Sequence, residues 1–220
     1  MGSEDFYEAI RKFGFYSLTG IDLPGEAKGL LLEEQKWSAL SLPNISFGQG
    51  IGVTALQLIN AFSAVANGGI LMKPIIIKNI EGFSAQDISS FEPKQIRRIM
   101  SPETSLQMKK ILKSVVDNGT GKSAKIPGYS VGGKTGTAQK IDPETRKYSK
   151  KHYVASFCGM IPADNPELVI LVVIDEPKGD YYAASVASPV FASIAARCAE
   201  YLDLKKDEAE NIKTNRDKKR

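Results

Sequence analysis

Histidine and cysteine, from which most protein metal sites are built, are scarce in this chain. Among its 220 residues there is one histidine, His152, and there are two cysteines, Cys158 and Cys198. These positions do not have metal-ligand spacing, so we expect no metal ion, and nothing else in the sequence calls for a cofactor. Cys158 lies in an apolar run and Cys198 on a predicted helix, which favours two small packing residues over nucleophiles.

Long apolar runs are also missing. No segment approaches the length of a membrane-spanning helix, and the first ten residues, MGSEDFYEAI, have neither the basic nor the apolar region of a signal peptide. We therefore find no targeting segment in these residues. Hydrophobic residues make up 42% and charged residues 25% of the chain, which excludes a disordered protein and predicts a folded domain with a sizeable core.

A strong charge of one sign is absent from the body of the chain. The formal net charge is +4, but residues 205–220 hold seven basic and four acidic side chains, which accounts for +3 of it. A nearly neutral body argues against nucleic acid as a partner, since nucleic-acid-binding domains present a basic face. We expect residues 1–204 to form the folded portion and residues 205–220 a charged, disordered tail.

Capping signals and apolar periodicity predict four helices. They run from Ser3 to Gly14, from Thr54 to Asn67, from Ser101 to Asn118 and from Ser188 to about Leu202; Thr54 and Gln57 form a capping box in the second. The expected buried faces are Leu56, Ile59, Phe62, Val65 and Ala66 in the second helix, Met108, Ile111, Leu112, Val115 and Val116 in the third, and Val190, Phe191, Ile194 and Cys198 in the fourth.

Three β-rich runs predict one antiparallel sheet. The first extends from Tyr129 to Lys140, and the polar loop DPETRKYSKKH joins it to the second, Tyr153 to Ile161. A short turn, PADNPE, leads to the third, Leu168 to Ile174, which is typical of a hairpin. Helices come first, then strands, then a helix, so the fold class is α+β rather than alternating βαβ. Thr19 to Gly29 is expected to be irregular, and Glu81 to Ile99 is left unassigned.

The stretch GYSVGGKTGTAQK, residues 128–140, matches two unrelated signatures. Gly128 to Thr135 fits the phosphate-binding loop G-x-x-x-x-G-K-T, and Lys134 to Gly136 fits K-T-G, an element of the serine acyl-transfer set that includes S-x-x-K. A phosphate-binding loop needs a buried strand before it and a helix starting at its Lys-Thr. Here the polar run GTGKSAKIP precedes the loop, and glycine and proline soon follow it, so the flanks favour a strand.

The residue types of a Lys-Thr-Gly-Thr strand are suited to binding an anionic ligand. Alternation directs Lys134 and Gly136 to one face and Thr135 and Thr137 to the other, so a pocket that uses all four must lie at a sheet edge. Gly136 lets a ligand approach the backbone closely. Lys134 can hold an anion or a proton network, and the two hydroxyls can donate to a carboxylate. K-T-G alone is short, and a solvated strand with a surface lysine is the alternative.

Several further blocks give the motif a context. GFYSLTGIDLPGE, KWSAL, ISFGQGIGVTALQLINAFSAVANGG and GYSVGGKTGTAQK occur in this order. In order and spacing they resemble the C-terminal part of the transpeptidase domain of class B penicillin-binding proteins, over about Phe6 to Leu204. Trp37 and the following SFGQG resemble the division-type branch more than the elongation-type branch. One departure is Ala55, where the family's block commonly reads V-T-P-L-Q.

The resemblance implies an α+β fold in which an antiparallel sheet is flanked by helices, here incomplete on its N-terminal side. The family's nucleophile lies in S-x-x-K, yet no serine of this chain has a lysine three positions later, and no S-x-N is present. In the family both elements precede the helix that resembles Ser3 to Gly14. We therefore expect a fragment that contains no nucleophile and is inactive by itself.

For the site, the resemblance implies roles for four residues. Lys134 would orient the anionic end of the substrate and share a catalytic proton network, while Thr135 and Thr137 would bind the terminal carboxylate. The backbone N–H of Thr137 would form half of the oxyanion hole, and Gly136 would keep the strand approachable. The glycine-rich run GQG, residues 48–50, would shape a nearby loop.

The resemblance also implies partners and a location. The substrate would be a peptidoglycan stem peptide ending in D-Ala-D-Ala, and β-lactam antibiotics would acylate the same site. The missing N-terminal part of the same protein would complete the domain, and apolar surface left uncovered without it favours self-association. The parent protein would act at the extracytoplasmic face of the bacterial cytoplasmic membrane.

Two other hypotheses stay open at this point. The chain can be a non-catalytic binding module from a truncated gene, which codons for S-x-x-K and S-x-N upstream would exclude. The second hypothesis is a nucleotide hydrolase, which the flanks of the glycine-rich stretch disfavour. Micromolar binding of ATP with magnesium would support this hypothesis again.

Overall fold

The computed structural model describes residues 1–80 and 89–207, which divide into two compact units, residues 1–102 and the residues from Glu103 onward. The predicted tail lies outside the described residues from position 208. The first unit contains α1 (Ser3–Lys12), α2 (Ser41–Ser46), α3 (Ala55–Ala66), β1 (Ile70–Met72), β2 (Asn79–Ile80), β3 (Ser89–Ser90) and β4 (Gln95–Arg98). From the boundary onward follow α4 (Pro102–Asp117), β5 (Gly132–Ile141), β6 (Tyr148–Ile161), β7 (Leu168–Asp175), α5 (Ala183–Val186) and α6 (Ser188–Tyr201).

In the first unit, the start of α3 is fixed by the predicted capping box. Thr54 Oγ1 accepts from the Gln57 N–H at 3.1 Å, and Gln57 Oε1 accepts from the Thr54 N–H at 3.0 Å. The side-chain amide of Gln57 also donates to the carbonyls of Ser17, at 2.8 Å, and Lys28, at 2.9 Å. A polar side chain that is 2% exposed is thereby satisfied, and it ties α3 to the irregular segment before it.

The buried face of α3 differs from the predicted one. Of the five predicted residues only Val65 is buried, together with Gln57, Ala61 and Ala64. The other four, Leu56, Ile59, Phe62 and Ala66, are half-buried. Apolarity alone misplaced the face because the hydrogen bonds of Gln57 determine how the helix is rotated about its axis.

In the second unit, β5, β6 and β7 form one antiparallel sheet in that order, as the sequence predicts. Gly132 pairs with Met160 at one end of the first ladder, and Ile161 pairs with Leu168 beside the hairpin turn. β6 begins at Tyr148, earlier than predicted, so the loop between β5 and β6 is shorter than the sequence indicated.

One face of this sheet is covered by α5 and α6. The rings of Phe157 on β6 and Phe191 on α6 lie with their centroids 4.8 Å apart, and both residues are fully buried. A Cβ added at Gly133 would come within 2.5 Å of the Phe157 ring, and one at Gly159 within 2.7 Å of the Phe191 ring. The two glycines are therefore required by the packing of the phenylalanines.

The predicted core face of α6 was wrong for most of its residues. Phe191 is buried as expected, but Val190 and Ile194 are 40% and 42% exposed, and Cys198 is half-buried. The buried apolar residues lie four apart and are small except for Phe191: Ala187 just before the helix, then Phe191, Ala195 and Ala199, with Ser188 also buried at the first position of the helix. Small side chains allow the helix to lie close to the sheet, and this steric advantage outweighs the greater hydrophobicity of valine and isoleucine.

The prediction for α4 was partly wrong. The helix begins at Pro102 and buries Leu112 and Val116, as expected. Ile111, however, is 56% exposed, while Ser105 is buried on the inner face. The inner face therefore follows positions 105, 112 and 116, and the neighbour of Leu112 points outward.

The chain that follows α6 returns to the segment preceding β5. The Tyr129 hydroxyl donates to the Leu204 carbonyl at 2.9 Å, and the Ser130 N–H donates to Asp207 Oδ1 at 2.7 Å. The Ser130 hydroxyl also bonds the carboxylate of Asp207, and it accepts from the Ala163 N–H at 2.8 Å. The first residues of the predicted tail thus lie against the approach to β5.

Candidate functional site

The K-T-G residues lie within β5 and not at the start of a helix. Lys134 pairs with Cys158, Thr135 with Phe157 and Thr137 with Ala155 across the ladder to β6. A strand over this stretch is incompatible with a phosphate-binding loop, whose Lys-Thr opens a helix. The nucleotide-hydrolase hypothesis is therefore wrong, and the strand predicted from the flanks is confirmed.

β5 is an edge strand of the sheet as far as residues 1–80 and 89–207 describe it. Lys134 is exposed, and its Nζ lies 2.8 Å from the Thr135 carbonyl oxygen and 3.4 Å from Thr135 Oγ1. The two side chains start on opposite faces, so the ammonium group reaches around the strand to the backbone of its neighbour. The Lys134 ammonium group and the Thr135 hydroxyl therefore lie close together.

The hydroxyl of Thr135 has a second neighbour that the sequence did not indicate. Thr120, in the loop after α4, places its Oγ1 at 3.0 Å from Thr135 Oγ1. The three polar groups of Lys134, Thr135 and Thr120 therefore form one connected cluster on the surface of the second unit. The only feature of the sequence that could have indicated this contact is the run of small and polar residues GTG at positions 119–121.

Thr137 is exposed and connects β5 to the next helix. Its Oγ1 accepts a hydrogen bond from the Ala183 N–H at 3.1 Å, at the start of α5. Since a hydroxyl carries one proton and two lone pairs, this contact leaves its O–H free to donate. Thr137 thus lies two residues along β5 from Thr135, and its hydroxyl proton is available to donate.

Gly136 has a protein neighbour on its own face. A Cβ added there would lie 2.6 Å from Ser156 Oγ on β6. The absence of a side chain therefore makes room for the serine hydroxyl, in addition to the ligand access expected from the sequence. A serine hydroxyl can rotate, so a larger residue at this position would first displace Ser156.

A tyrosine cluster lies next to Thr137 and was missed by the sequence analysis. The rings of Tyr153 and Tyr181 stack at 4.1 Å between centroids, and those of Tyr181 and Tyr182 lie 4.6 Å apart. The hydrogen bond with Tyr182, and then electrostatic repulsion by an ionised Tyr182, raise the pKa of Tyr181 to about 12. Tyr182 directly precedes the residue that bonds Thr137, and the doublet YY was the only available signal.

Charged residues join the far end of β5 to β7. Lys140 Nζ lies 3.0 Å from Asp175 Oδ1 and 2.8 Å from Glu176 Oε1, and His152 Nδ1 lies 3.4 Å from Glu176 Oε2. Hydrogen bonding with Glu176 raises the pKa of Lys140, and the same bond lowers the pKa of Glu176. These contacts lie close to the turn that joins β5 to β6.

The other predicted features lie elsewhere or have no counterpart. Gly48 and Gly50 belong to the first unit, where both adopt positive φ angles, 94° and 79°, in the turn after α2. Within residues 1–80 and 89–207, no three His, Cys, Asp or Glu side chains come together as a metal site. In the same ranges, no helix combines the length and the apolar character that crossing a bilayer requires.

Comparison with known proteins gives one consistent result. The sequence profile described as "Penicillin binding protein transpeptidase domain" matches residues 1–196. Stage V sporulation protein D of Bacillus subtilis is 40% identical over 196 residues, which is 88% of this chain and 30% of that protein. Penicillin-binding protein PbpB of Mycolicibacterium smegmatis is 38% identical over 205 residues, which is 89% of this chain and 32% of that protein.

Solved structures agree with the sequence relatives. Penicillin-binding protein 3 of Mycobacterium tuberculosis, complexed with ampicillin, superposes with a TM-score of 0.86 at 33% identity, covering 96% of this chain and 48% of that one. The transpeptidase domain of Burkholderia pseudomallei penicillin-binding protein 3 gives 0.81 at 33% identity, over 94% and 60%. This chain thus spans about a third of the two curated relatives and about half of these structures.

Lys134, Thr135 and Thr137 all lie on the edge strand β5. The profile match covers most of the chain, and the PbpB relative and both solved structures are named penicillin-binding proteins. The chain belongs to the penicillin-binding protein transpeptidase domain family.

Proposed function

We propose that this chain carries the substrate-docking strand of a peptidoglycan D,D-transpeptidase. The observation that carries the proposal is the edge strand β5, on which a lysine ammonium and two threonine hydroxyls are presented to solvent within three residues of one another. Relatives at 33% and 31% identity are named probable peptidoglycan D,D-transpeptidases.

The proposed reaction is serine acyl transfer. A serine hydroxyl attacks the carbonyl between the two terminal D-alanines of a stem peptide, the last D-alanine leaves, and an amine of a neighbouring strand takes the acyl group. Penicillins react with the same serine, and their ring amide replaces the scissile peptide bond. The chemistry requires that the terminal carboxylate be held while the carbonyl carbon is attacked.

Residues of β5 bind the terminal carboxylate in this proposal. Lys134 attracts the carboxylate, and the hydroxyls of Thr135 and Thr137 donate to it, each charge-assisted hydrogen bond contributing about 1.5 to 3 kcal/mol. The backbone N–H of Thr137 points to the same side of the strand as the Thr135 carbonyl that Lys134 contacts, because peptide groups two residues apart share an edge. There it would form half of an oxyanion hole, worth about 100- to 1000-fold in rate.

The nucleophile would come from other residues of the polypeptide, because no serine among these 220 residues has a lysine at the third position after it. We therefore propose that the chain by itself is inactive. The natural substrate would be a stem peptide ending in D-Ala-D-Ala, the inhibitors β-lactams, and the place of action the extracytoplasmic face of the cytoplasmic membrane. Self-association of the isolated chain stays a prediction.

The decisive experiment concerns the gene and its complete product. The codons upstream should encode S-x-x-K and S-x-N, and the complete protein should become labelled by a fluorescent penicillin at a single serine. Lys134→Ala should strongly reduce labelling, whereas Lys151→Ala, an exposed lysine outside the strand's motif, should not. An open reading frame without these motifs, and a product that takes no label, would favour the non-catalytic binding module instead.

A further inference from the structure

The loop after α4 is built around a single carbonyl. The N–H groups of Gly119 and Gly121 both donate to the Val115 carbonyl oxygen, each at 3.0 Å. A Cβ at Gly119 would lie 2.9 Å from that oxygen, and one at Gly121 would lie 3.2 Å from it and 3.1 Å from Val116 Cγ2. Both glycines are therefore needed for the chain to wrap this closely around the end of the helix.

Thr120 is held between these two glycines and projects toward β5. Its backbone is fixed on both sides by hydrogen bonds to one carbonyl, so its position relative to α4 is well defined. The hydroxyl lies 3.0 Å from that of Thr135, the middle residue of the Lys-Thr-Gly motif. A rigid loop thus carries a hydroxyl to a residue that is proposed to bind substrate.

The protons of the three groups can be assigned by counting donors and acceptors. Thr135 Oγ1 has one proton and two lone pairs, and the Lys134 ammonium, which only donates, lies 3.4 Å from it. A bound carboxylate only accepts, so it requires the proton of Thr135. Thr120 must then donate to the remaining lone pair of Thr135, since the opposite orientation would consume that proton.

We propose that Thr120 is a positioning residue for carboxylate recognition by β5: it donates to Thr135 and so directs the Thr135 O–H toward the substrate carboxylate. The inference rests on the proposed function and adds to it a residue outside the K-T-G motif. It also predicts a dependence on ligand charge, because only a terminal carboxylate, which cannot donate, enforces this orientation. A terminal amide can accept or donate and gains little from it.

The test is a binding titration of the 220-residue chain, labelled with ¹⁵N and followed by the amide signals of Lys134 to Thr137. The probes are N-acetyl-D-alanyl-D-alanine and the same dipeptide with a C-terminal amide. Thr120→Val should weaken binding of the carboxylate probe about 3- to 10-fold, the range of one neutral hydrogen bond, and leave the amide probe within twofold. Thr120→Ser, which restores the hydroxyl, should bind the carboxylate probe like the unaltered chain.

A double variant separates positioning from general stability. In Thr135→Val the hydroxyl to be oriented is gone, so adding Thr120→Val should cause no further loss of carboxylate binding. Thermal unfolding of each variant checks the fold, and Thr120→Ala replaces Thr120→Val if the latter unfolds. Equal weakening of both probes, an equal loss in Thr120→Ser, or additive losses in the double variant would overturn the inference.

The outcomes also separate this inference from the proposed function. If the unaltered chain binds neither probe at the amides of β5, the docking role of the strand is wrong and the role of Thr120 with it. If the unaltered chain binds the carboxylate probe and Thr120→Val binds it equally well, only the role of Thr120 is wrong.

Discussion

At the scale of single residues, the oxygen atoms of both threonine hydroxyls of β5 have polar protein neighbours. Thr137 Oγ1 accepts from the Ala183 N–H, just as Thr135 Oγ1 is contacted by Lys134 and Thr120. An acceptor occupied by a protein donor leaves the O–H to donate outward. Thr137 therefore presents one donor, and under the proposed donation by Thr120 the hydroxyl of Thr135 presents a second, which suits an anion and not a cation.

Thr137→Val in the complete protein should slow acylation by penicillin about 10- to 100-fold, because valine keeps the shape but removes one donor to a carboxylate. The N–H of Ala183, a buried residue, would lose this partner, so thermal unfolding of the variant checks that the fold is kept. Stopped-flow or gel-based acylation rates measure the effect, and Thr137→Ser is the matched control. Unchanged kinetics would show that Thr137 has a structural role only.

The two cysteines should differ in reactivity. Burial raises the pKa of Cys158 to about 12, so at pH 8 its thiol is almost entirely protonated as well as shielded. Cys198 is half-buried on α6. In the native chain we expect iodoacetamide to modify Cys198 and leave Cys158 intact over the same period, and peptide mapping checks this. Both should react in urea, and native modification of Cys158 would contradict its burial.

At the scale of elements, α6 shows that closeness of packing decides which side of a helix is buried. Its inner face presents Ala195 and Ala199 around one large residue, Phe191, and its outer face carries Val190 and Ile194. The phenylalanine occupies space that Gly159 leaves on the sheet. The stability of the second unit should therefore depend on the small inner residues and the one aromatic ring.

Phe191→Ala should lower the free energy of unfolding by about 3 to 5 kcal/mol, since it removes a buried ring and leaves a cavity. Ile194→Ala, one turn away on the exposed face, should cost less than about 1 kcal/mol. Urea denaturation followed by circular dichroism compares the two variants. Similar losses for both would mean that the outer face of α6 is buried in solution.

Gln57→Leu should destabilise the first unit by at least about 2 kcal/mol, although leucine is more hydrophobic. The carbonyls of Ser17 and Lys28 and the N–H of Thr54 would lose their hydrogen bonds in a buried place. Gln57→Glu, which keeps the acceptor of the capping box but loses the two donated bonds, should show an intermediate or comparable loss. An unchanged midpoint in urea for Gln57→Leu would contradict the structural role assigned to this amide.

At the scale of the whole molecule, the proposed function separates covalent chemistry from docking. Covalent catalysis needs a nucleophile activated by an adjacent base, and these residues contain no S-x-x-K. Lys134 is directed to its own neighbour, Thr135, and the serine nearest to it across the ladder, Ser156, pairs with Gly136. Under the proposed function, the chain would carry recognition chemistry without the group that is acylated.

The isolated chain should form no covalent adduct with a β-lactam and should not turn over stem peptide. Intact-mass spectrometry after incubation with excess penicillin is the direct measurement, with the complete protein as the positive control. A stoichiometric mass increase that maps to one serine of these 220 residues would identify a nucleophile outside the S-x-x-K pattern and overturn the proposal of inactivity.

Much of the fold could be read from local signals. The capping box at Thr54 and Gln57, the first-turn proline of α4 and the K-T-G strand follow from short-range backbone chemistry, which needs only neighbouring residues. The order of the three-stranded sheet followed from the polar loop and the turn between its strands. The K-T-G site was located by motif, and its strand geometry by the glycine and proline that exclude a helix.

The sequence by itself therefore determined the α+β class, the strand that carries Lys134, Thr135 and Thr137, and the family to which the chain belongs. Only the tertiary structure decided which face of each helix is buried, and that Thr120 and the tyrosine cluster lie beside the strand. The physical reason is the distance along the sequence over which each interaction acts. Caps, turns and strand alternation are set within a few residues, whereas helix rotation and contacts such as Thr120 with Thr135 depend on steric fit and hydrogen bonds between distant segments.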